Sequence, residues 1–274
     1  MSDSSVVVDI LASGSRGNCA VFSFGSTRLV VDAGISVRQF RAACAERNIP
    51  VESITGMALT HEHKDHVAHL QPFRKSWSQW PVWASAGTIR GSVLRGESAF
   101  EWQHIRDGRP FRVGEVDVLP IRLSHDAFEP VGFLFEYRDF RVLHVTDTGA
   151  LTPVMHELAR AVNVLLVEAN YDPHMLRTGP YPAFLQRRVS GVHGHLDNQQ
   201  GAELAVAAVS PSLQHIVLMH LSENNNAPEL ALQAVRPQVP SHIPVGCATQ
   251  SNGFPTLRFH VGPRLDSRGQ ALLF

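Results

Sequence analysis

Residues 60 to 66 read Thr-His-Glu-His-Lys-Asp-His, which sets three histidines and an aspartate at the spacing H-x-H-x-D-H. Imidazole and carboxylate donors without cysteine suit Zn²⁺, Mn²⁺ or iron. On extended backbone His61 and His63 point to the same side. A helix starting at Asp65 sends Asp65 and His66 out from its first turn. Two adjacent clusters of this kind suit two metal ions a few ångströms apart. Such ions lower the pKa of a water bridging them from about 15.7 toward 7, so hydroxide exists at neutral pH and can attack phosphorus in line.

One motif is too few ligands, and three other predicted strands end in a candidate. Val118–Leu123 runs into Ser124-His125-Asp126, Phe140–Val145 into Thr146-Asp147-Thr148-Gly149, and Ile216–Met219 into His220-Leu221-Ser222. Open α/β sheets gather their ligands just beyond strand ends. Glu168, Asn170 and Asp172 follow a further strand end and are expected to hydrogen-bond to ligand histidines. Asp65 can orient the nucleophile's proton. His195, in Gly194-His195-Leu196-Asp197-Asn198, precedes a predicted helix whose free N–H groups favour an anion. It is the candidate donor of a proton to the departing alkoxide, ahead of His193. The remaining histidines (His104, His144, His156, His174, His215, His242, His260) read as packing or surface residues.

Two segments are candidates for substrate. Arg177, Arg187 and Arg188, with Tyr181 and Phe184, could bind phosphates and stack a base; a solvated face with core aromatics is the rival reading. The Ser13–Asn18 loop, with Ser15 and Asn18, could offer backbone N–H groups to a phosphate, or be a simple turn. A basic segment lying over the histidines favours a polyanion; one facing away favours a small substrate.

The elements that must position these residues mix strands and amphipathic helices. Strands are predicted at Val6–Leu11, Ala20–Phe24, Thr27–Asp32, Ile54–Leu59, Val116–Leu123, Val131–Tyr137, Phe140–Val145, Val164–Glu168, Ile216–Met219 and Leu257–Val261. Helices are predicted from Ser36 (as cap) to Arg47, His66–Trp77, Pro153–Ala161, Gln199–Val209 capped by Asn198, and Pro228–Val235. Hairpins followed by alternating strands and helices give an α/β fold with mixed sheets layered by helices.

The 274 residues are 44% apolar and 18% charged, too apolar for a disordered chain. No linker or repeat divides them, so residues 1–274 read as a single domain. No apolar run approaches the roughly 20 residues of a membrane helix, and MSDSSVVVDILASGS has no basic n-region, so neither membrane nor export is expected. Cys19, Cys44 and Cys247 are widely spaced and odd in number, which argues against a disulfide framework and for a cytoplasmic setting. A net charge of −1 excludes a histone-like binder but not a local basic patch. Among the cations 22 are arginines; coding bias explains that, and so does phosphate recognition.

Several stretches together carry a resemblance: Leu11-Ala12-Ser13-Gly14-Ser15-Arg16-Gly17-Asn18-Cys19, Val31-Asp32-Ala33-Gly34, the HEHKDH box, Ser124-His125-Asp126-Ala127, Thr146-Asp147-Thr148-Gly149, Gly194-His195-Leu196-Asp197-Asn198 and His220-Leu221-Ser222-Glu223-Asn224-Asn225. The chain resembles metallo-β-lactamase-fold hydrolases, and within them the YycJ-like (WalJ-like) subgroup, which is similar to RNase J and RNase Z-type nucleases. The resemblance implies a four-layer αββα sandwich of two mixed sheets flanked by helices. It implies one metal held by His61, His63 and His125, a second by Asp65, His66 and His220, and Asp147 bridging them. His195 is similar to a histidine that contacts the scissile phosphate in RNase J-like nucleases. His63 stands where flavodiiron oxidoreductases of the fold usually have Glu, which favours hydrolysis. The subgroup's usual pattern differs at Tyr171, Asp197 and His69, none of them an implied ligand.

These readings converge on a phosphodiesterase with two divalent ions (Zn, Mn or Fe), and the resemblance implies a 5′-to-3′ DNA exonuclease. Nucleic acid, DNA by the resemblance, is its expected partner as substrate; no membrane and no obligate protein partner are expected. The alternatives are a hydrolase of a small phosphodiester or thioester, and an inactive metal-stabilised nucleic-acid-binding protein. No helix-turn-helix or finger motif appears, so discrete base readout is not expected.

Overall fold

The computed structural model describes residues 4–91 and 101–262. Strands β1 (Ser5–Ala12), β2 (Cys19–Phe24) and β3 (Thr27–Val31) are β-branched and aromatic runs buried on both faces, as strands in a covered sheet must be. Gly25 turns between the last two at φ +57°, a conformation that favours glycine. Helix α1 (Val37–Glu46) starts at a reciprocal capping box between Ser36 and Gln39. Strand β4 (Gly56–Ala58) pairs parallel with β3.

The single helix expected over His66–Trp77 is two, α2 (Lys64–Val67) and α3 (Leu70–Ser76). Pro72 explains the break, because in a continuous helix its ring would strike the carbonyl of Ala68. It is tolerated in the first turn of α3. Three elements the periodicity did not reveal follow: β5 (Val82–Ser85), α4 (Ala86–Arg90) and β6 (Trp102–Ile105).

The second sheet begins with the meander β7 (Phe111–Val113), β8 (Val116–Arg122), β9 (Val131–Tyr137) and β10 (Phe140–Val145). Alternation of helix and strand then takes over: α5 (Pro153–Ala159), β11 (Val164–Glu168), α6 (Pro173–Thr178), α7 (Ala183–Val189), α8 (Asn198–Ala207), β12 (His215–Met219), α9 (Pro228–Val235) and β13 (Val245–Cys247). The sequence reading did not contain α6 or α7. Strand β14 (Leu257–His260) returns to the first sheet.

The strand orders are β14-β1-β2-β3-β4-β5-β6 and β13-β12-β11-β10-β9-β8-β7. The sheets face each other across an aromatic core in which Phe22 stacks on Phe135 with centroids 4.5 Å apart. Phe40 of α1 and Phe73 of α3 cover the outer face of the first sheet; Met155 of α5, Leu204 of α8 and Val235 of α9 cover that of the second. This is the expected αββα sandwich. Helix α8 is capped by Asp197, not Asn198; the Asn198 amide instead exchanges hydrogen bonds with Asn226 at 3.0 and 2.8 Å. Among the described residues no helix is long and apolar enough to cross a membrane.

Candidate metal centre

The site lies where strand ends of both sheets meet. His61 and His63 follow β4, and Asp65 and His66 occupy the first turn of α2. From the second sheet come His125 after β8, Asp147 after β10 and His220 after β12. Asp32 after β3, Asp147 and His220 all turn through left-handed backbone, with φ of +64°, +56° and +54°. Non-glycine residues hold that conformation at a cost of order 1 kcal/mol or more, and such strain clusters at functional sites.

Three groups of side chains each place their donor atoms within 4.8 Å of one another: His61, His63 and His125; Asp65, His66 and His220; His61, His66 and Asp147. All seven residues singled out as ligands are thus brought together. A fourth group joins Asp147, Glu168, His195 and His220. His125 Nε2 faces His63 Nδ1 at 3.2 Å, and His66 Nε2 lies 3.2 Å from Asp147 Oδ2 and 3.4 Å from Asp65 Oδ2. Nε2 of His61 and of His220 are buried without a hydrogen bond. A polar atom left so costs about 1–3 kcal/mol. Buried nitrogens without partners, converging with carboxylate oxygens, are the donor set a divalent cation takes.

The charges agree. Burial, and secondarily His66, holds the His61 imidazole well below its ordinary pKa, and burial also lowers His125, so both stay neutral. Burial works against charge on His66 too, but Asp147, Asp65 and Asp32 outweigh it and push the group well above its ordinary value. His220 is pushed up to about 10 against its burial, by Asp147, Asp65 and Glu168. Burial would raise Asp147, yet His220 and His66 hold it well below the carboxylate range. A divalent ion satisfies the same carboxylates by displacing those protons, as metal binding generally does.

Outer partners fix each ring. Asp32 Oδ2 takes His66 Nδ1 at 2.7 Å, and Asp32 itself accepts from the amide and hydroxyl of Thr60. Glu168, fully buried, accepts from the amides of Thr148 and Leu196 and meets His195 Nδ1 at 2.7 Å and His220 Nδ1 at 3.0 Å. Asn170 Nδ2 donates to the His220 carbonyl at 2.7 Å, and His125 Nδ1 donates to that of Gly194 at 2.9 Å. Such partners set tautomer and ring orientation. The sequence reading gave Asp32 and Thr60 no role, although Asp32 meets the same strand-end criterion as His125.

Other expectations need correction. Asp172 does not reach the histidines; it caps α6, accepting from Met175 N at 2.8 Å. The first turn of α8 is not open to a phosphate, because Asp197 accepts from Gln199 N and Gln200 N at 2.8 Å. In the Ser13–Asn18 loop the amides of Ser13, Gly14, Arg16, Gly17 and Asn18 donate within the protein and are not offered to a phosphate. Asn18 is buried, with its side-chain donor against Gly14 O, Asp65 Oδ2 and His66 Nε2, so it orients the cluster.

A cleft of about 210 Å³ opens over the cluster, lined among others by Ser15, Asp126, Tyr181, Arg188 and His195. Arg188 Nε bonds Asp126 Oδ2 at 2.6 Å. Arg177, Arg187 and His193 are not among the lining residues.

A family profile described as "Beta-lactamase superfamily domain" matches residues 27–221. The chain belongs to the β-lactamase superfamily. Two curated members are similar along most of their length. It is 32% identical to "Exodeoxyribonuclease YycJ" of Bacillus anthracis over 228 residues, 82% of this chain and 86% of that protein. It is 32% identical to "Exodeoxyribonuclease WalJ" of Streptococcus pneumoniae over 235 residues, 84% of this chain and 87% of that protein. Among solved structures, the metallo-β-lactamase fold protein YhfI of Bacillus subtilis superposes with a TM-score of 0.70 at 15% identity, covering 93% of this chain and 100% of that one. The short form of human tRNase Z superposes at 0.62 with 16% identity, covering 92% and 98%. These two share the fold. The superfamily chain is a metal-dependent hydrolase, and its buried donor set fits the divalent ions that this fold implies.

Proposed function

We propose that this superfamily member is a dinuclear metal-dependent phosphodiesterase that degrades DNA as a 5′-to-3′ exonuclease. The similarity over most of the chain to two proteins named exodeoxyribonucleases carries this reading. His61, His63 and His125 would hold one ion, Asp65, His66 and His220 the other, with Asp147 shared. When bound, the ions (Zn, Mn or Fe) supply Lewis acidity and lower the pKa of water.

The chain's own residues do the rest. Asp65, steadied by Asn18 at Oδ2, orients the nucleophile's proton. His195 gives Nδ1–H to Glu168, which leaves its Nε2 to pass a proton to the departing alkoxide. Ser15 and Arg188 line the cleft and are the phosphate contacts of this reading; Arg177 and Arg187 lie outside the cleft and have no part in it. Residues 1–274 act as one domain, in the cytoplasm, without an obligate protein partner.

The test is a time course on end-labelled single- and double-stranded DNA in Mn²⁺, Zn²⁺ or EDTA, with Asp65→Ala as the contamination control. Metal-dependent shortening from the 5′ end, absent in the variant, is expected. Intact DNA alongside turnover of bis(p-nitrophenyl) phosphate or a thioester would move the chain to small substrates.

A further inference from the structure

A second concavity, a groove of about 770 Å³ against about 210 Å³ for the cleft, is lined by helix α1 and by residues 250–252. Its size falls within the roughly 300–1,000 Å³ of ligand sites, whereas the cleft has room for little beyond the reacting group. Apolar Leu11, Ile35 and Ala43 line the groove together with Arg16 and Arg47. Among the described residues that line it Glu46 is the sole acid, whereas Asp65, Asp126 and Asp147 all line the cleft.

The groove adjoins the cleft. Ser15 and Ser222 line the cleft, and the residues that follow them, Arg16 and Glu223, are joined by an ion pair at 2.6 Å, with Arg16 lining the groove. The rim is fixed in place. Gln250 accepts from the Arg16 amide at 2.7 Å and donates to the Gly17 carbonyl at 2.8 Å, and the amides of Thr249 and Gly253 donate to each other's carbonyls at 2.9 and 3.0 Å. The two guanidinium groups are loosely engaged. Arg16 is in an exposed pair, of the kind that contributes little. Arg47 makes only long contacts, 3.5 Å to Glu46 Oε2 and 3.3 Å to the Asn252 carbonyl, and its Nε is buried without a partner. Of the five N–H donors of a guanidinium, most on Arg47 go unused.

We propose that this groove is a second binding site for the substrate, seating the body of the DNA strand whose end is cut in the cleft, with Arg16 and Arg47 each taking a backbone phosphate. The inference rests on the nuclease reading above. A phosphodiester supplies the anionic oxygens that the two guanidinium groups lack, in the geometry their planar fork suits. The apolar residues beside them receive sugar or base without reading sequence. Contacts of this kind position a strand and add affinity, leaving the chemistry to the cleft.

The test compares wild type, Arg47→Gln, Ala42→Glu and Ala42→Lys on an oligodeoxynucleotide and on bis(p-nitrophenyl) phosphate, which fills the cleft alone. Ala42 is an exposed α1 residue that lines the groove, so its variants change charge there and leave the core untouched. Arg47→Gln and Ala42→Glu should each raise KM for the oligodeoxynucleotide by about tenfold with little change in kcat. Ala42→Lys should lower that KM, and Arg47→Gln should reduce the slope of log KM against log salt by roughly 0.7–0.9. Turnover of bis(p-nitrophenyl) phosphate should stay at the wild-type level in all three. Unchanged KM for DNA in Arg47→Gln and Ala42→Glu, or equal losses in Ala42→Glu and Ala42→Lys, overturns the groove and leaves the nuclease reading standing. Wild-type protein that turns over bis(p-nitrophenyl) phosphate but leaves DNA intact overturns both.

Discussion

At the scale of single residues, Glu168 joins two tasks. One carboxylate, buried and held by two backbone amides, meets both His195, which borders the cleft, and His220 inside the cluster. The difference between those histidines is exposure: His195 is partly open, whereas His220 Nε2 is buried. His195→Ala is therefore expected to lower kcat by roughly 100- to 10,000-fold, the usual worth of a general acid. Metal content by elemental analysis should stay at the wild-type level. Loss of metal in that variant would instead place His195 among the ligands.

The elements show what the sequence could and could not reveal. The HEHKDH box and the three further strand ends were legible because their chemistry is local: a residue type at a fixed offset from an apolar run. Ser36 as a cap was legible for the same reason. Strand β5 was not, because Val82-Trp83-Ala84-Ser85 is too short to show a period, and its pairing with β4 and β6 is a long-range fact. Asp197 stands out in the sequence only as a departure from the subgroup's pattern; its capping geometry makes it a helix start. Asp197→Ala should accordingly cost about 1 kcal/mol in thermal or denaturant unfolding and leave metal uptake intact. Gly34 is the contrasting case. A Cβ there would collide with the Asp65 carbonyl and the Asn18 amide, both part of the packing under the site. Gly34→Ala should lose about 3 kcal/mol and metal affinity together, as isothermal titration beside the same unfolding measurement would reveal.

For the molecule as a whole, the cluster draws on both sheets, so bound metal ties them together. Chelation should lower the unfolding midpoint, by roughly 4 kcal/mol if metal stood a thousandfold above its Kd, or on the order of 10 °C. A protein that melts identically with and without EDTA would contradict a metal shared between sheets. A second global effect comes from His144, buried in β10 beside Phe22 with its Nδ1 unpartnered. Burial holds its pKa down to about 4, from 6.5. The unfolded chain takes up a proton below pH 6.5 and the folded protein only near pH 4, so stability is full above 6.5 and drains as pH falls between those values. Between pH 7 and pH 5 wild type should lose on the order of 2 kcal/mol more than His144→Leu, measured by denaturant titration.

The pairing of β1 with β14 bears on how the protein is made. Val6 stands opposite Phe259 and Val8 opposite Leu257, so one flank of a strand near the start of the chain is closed by one near its end. During synthesis β1, with its Val6-Val7-Val8 run, waits with an open flank until all the residues between it and β14 have left the ribosome. An unpaired apolar flank recruits strands from other chains. A stop codon placed before Thr256 should therefore give inclusion bodies, whereas one placed after Gly262 should leave the chain in the soluble fraction.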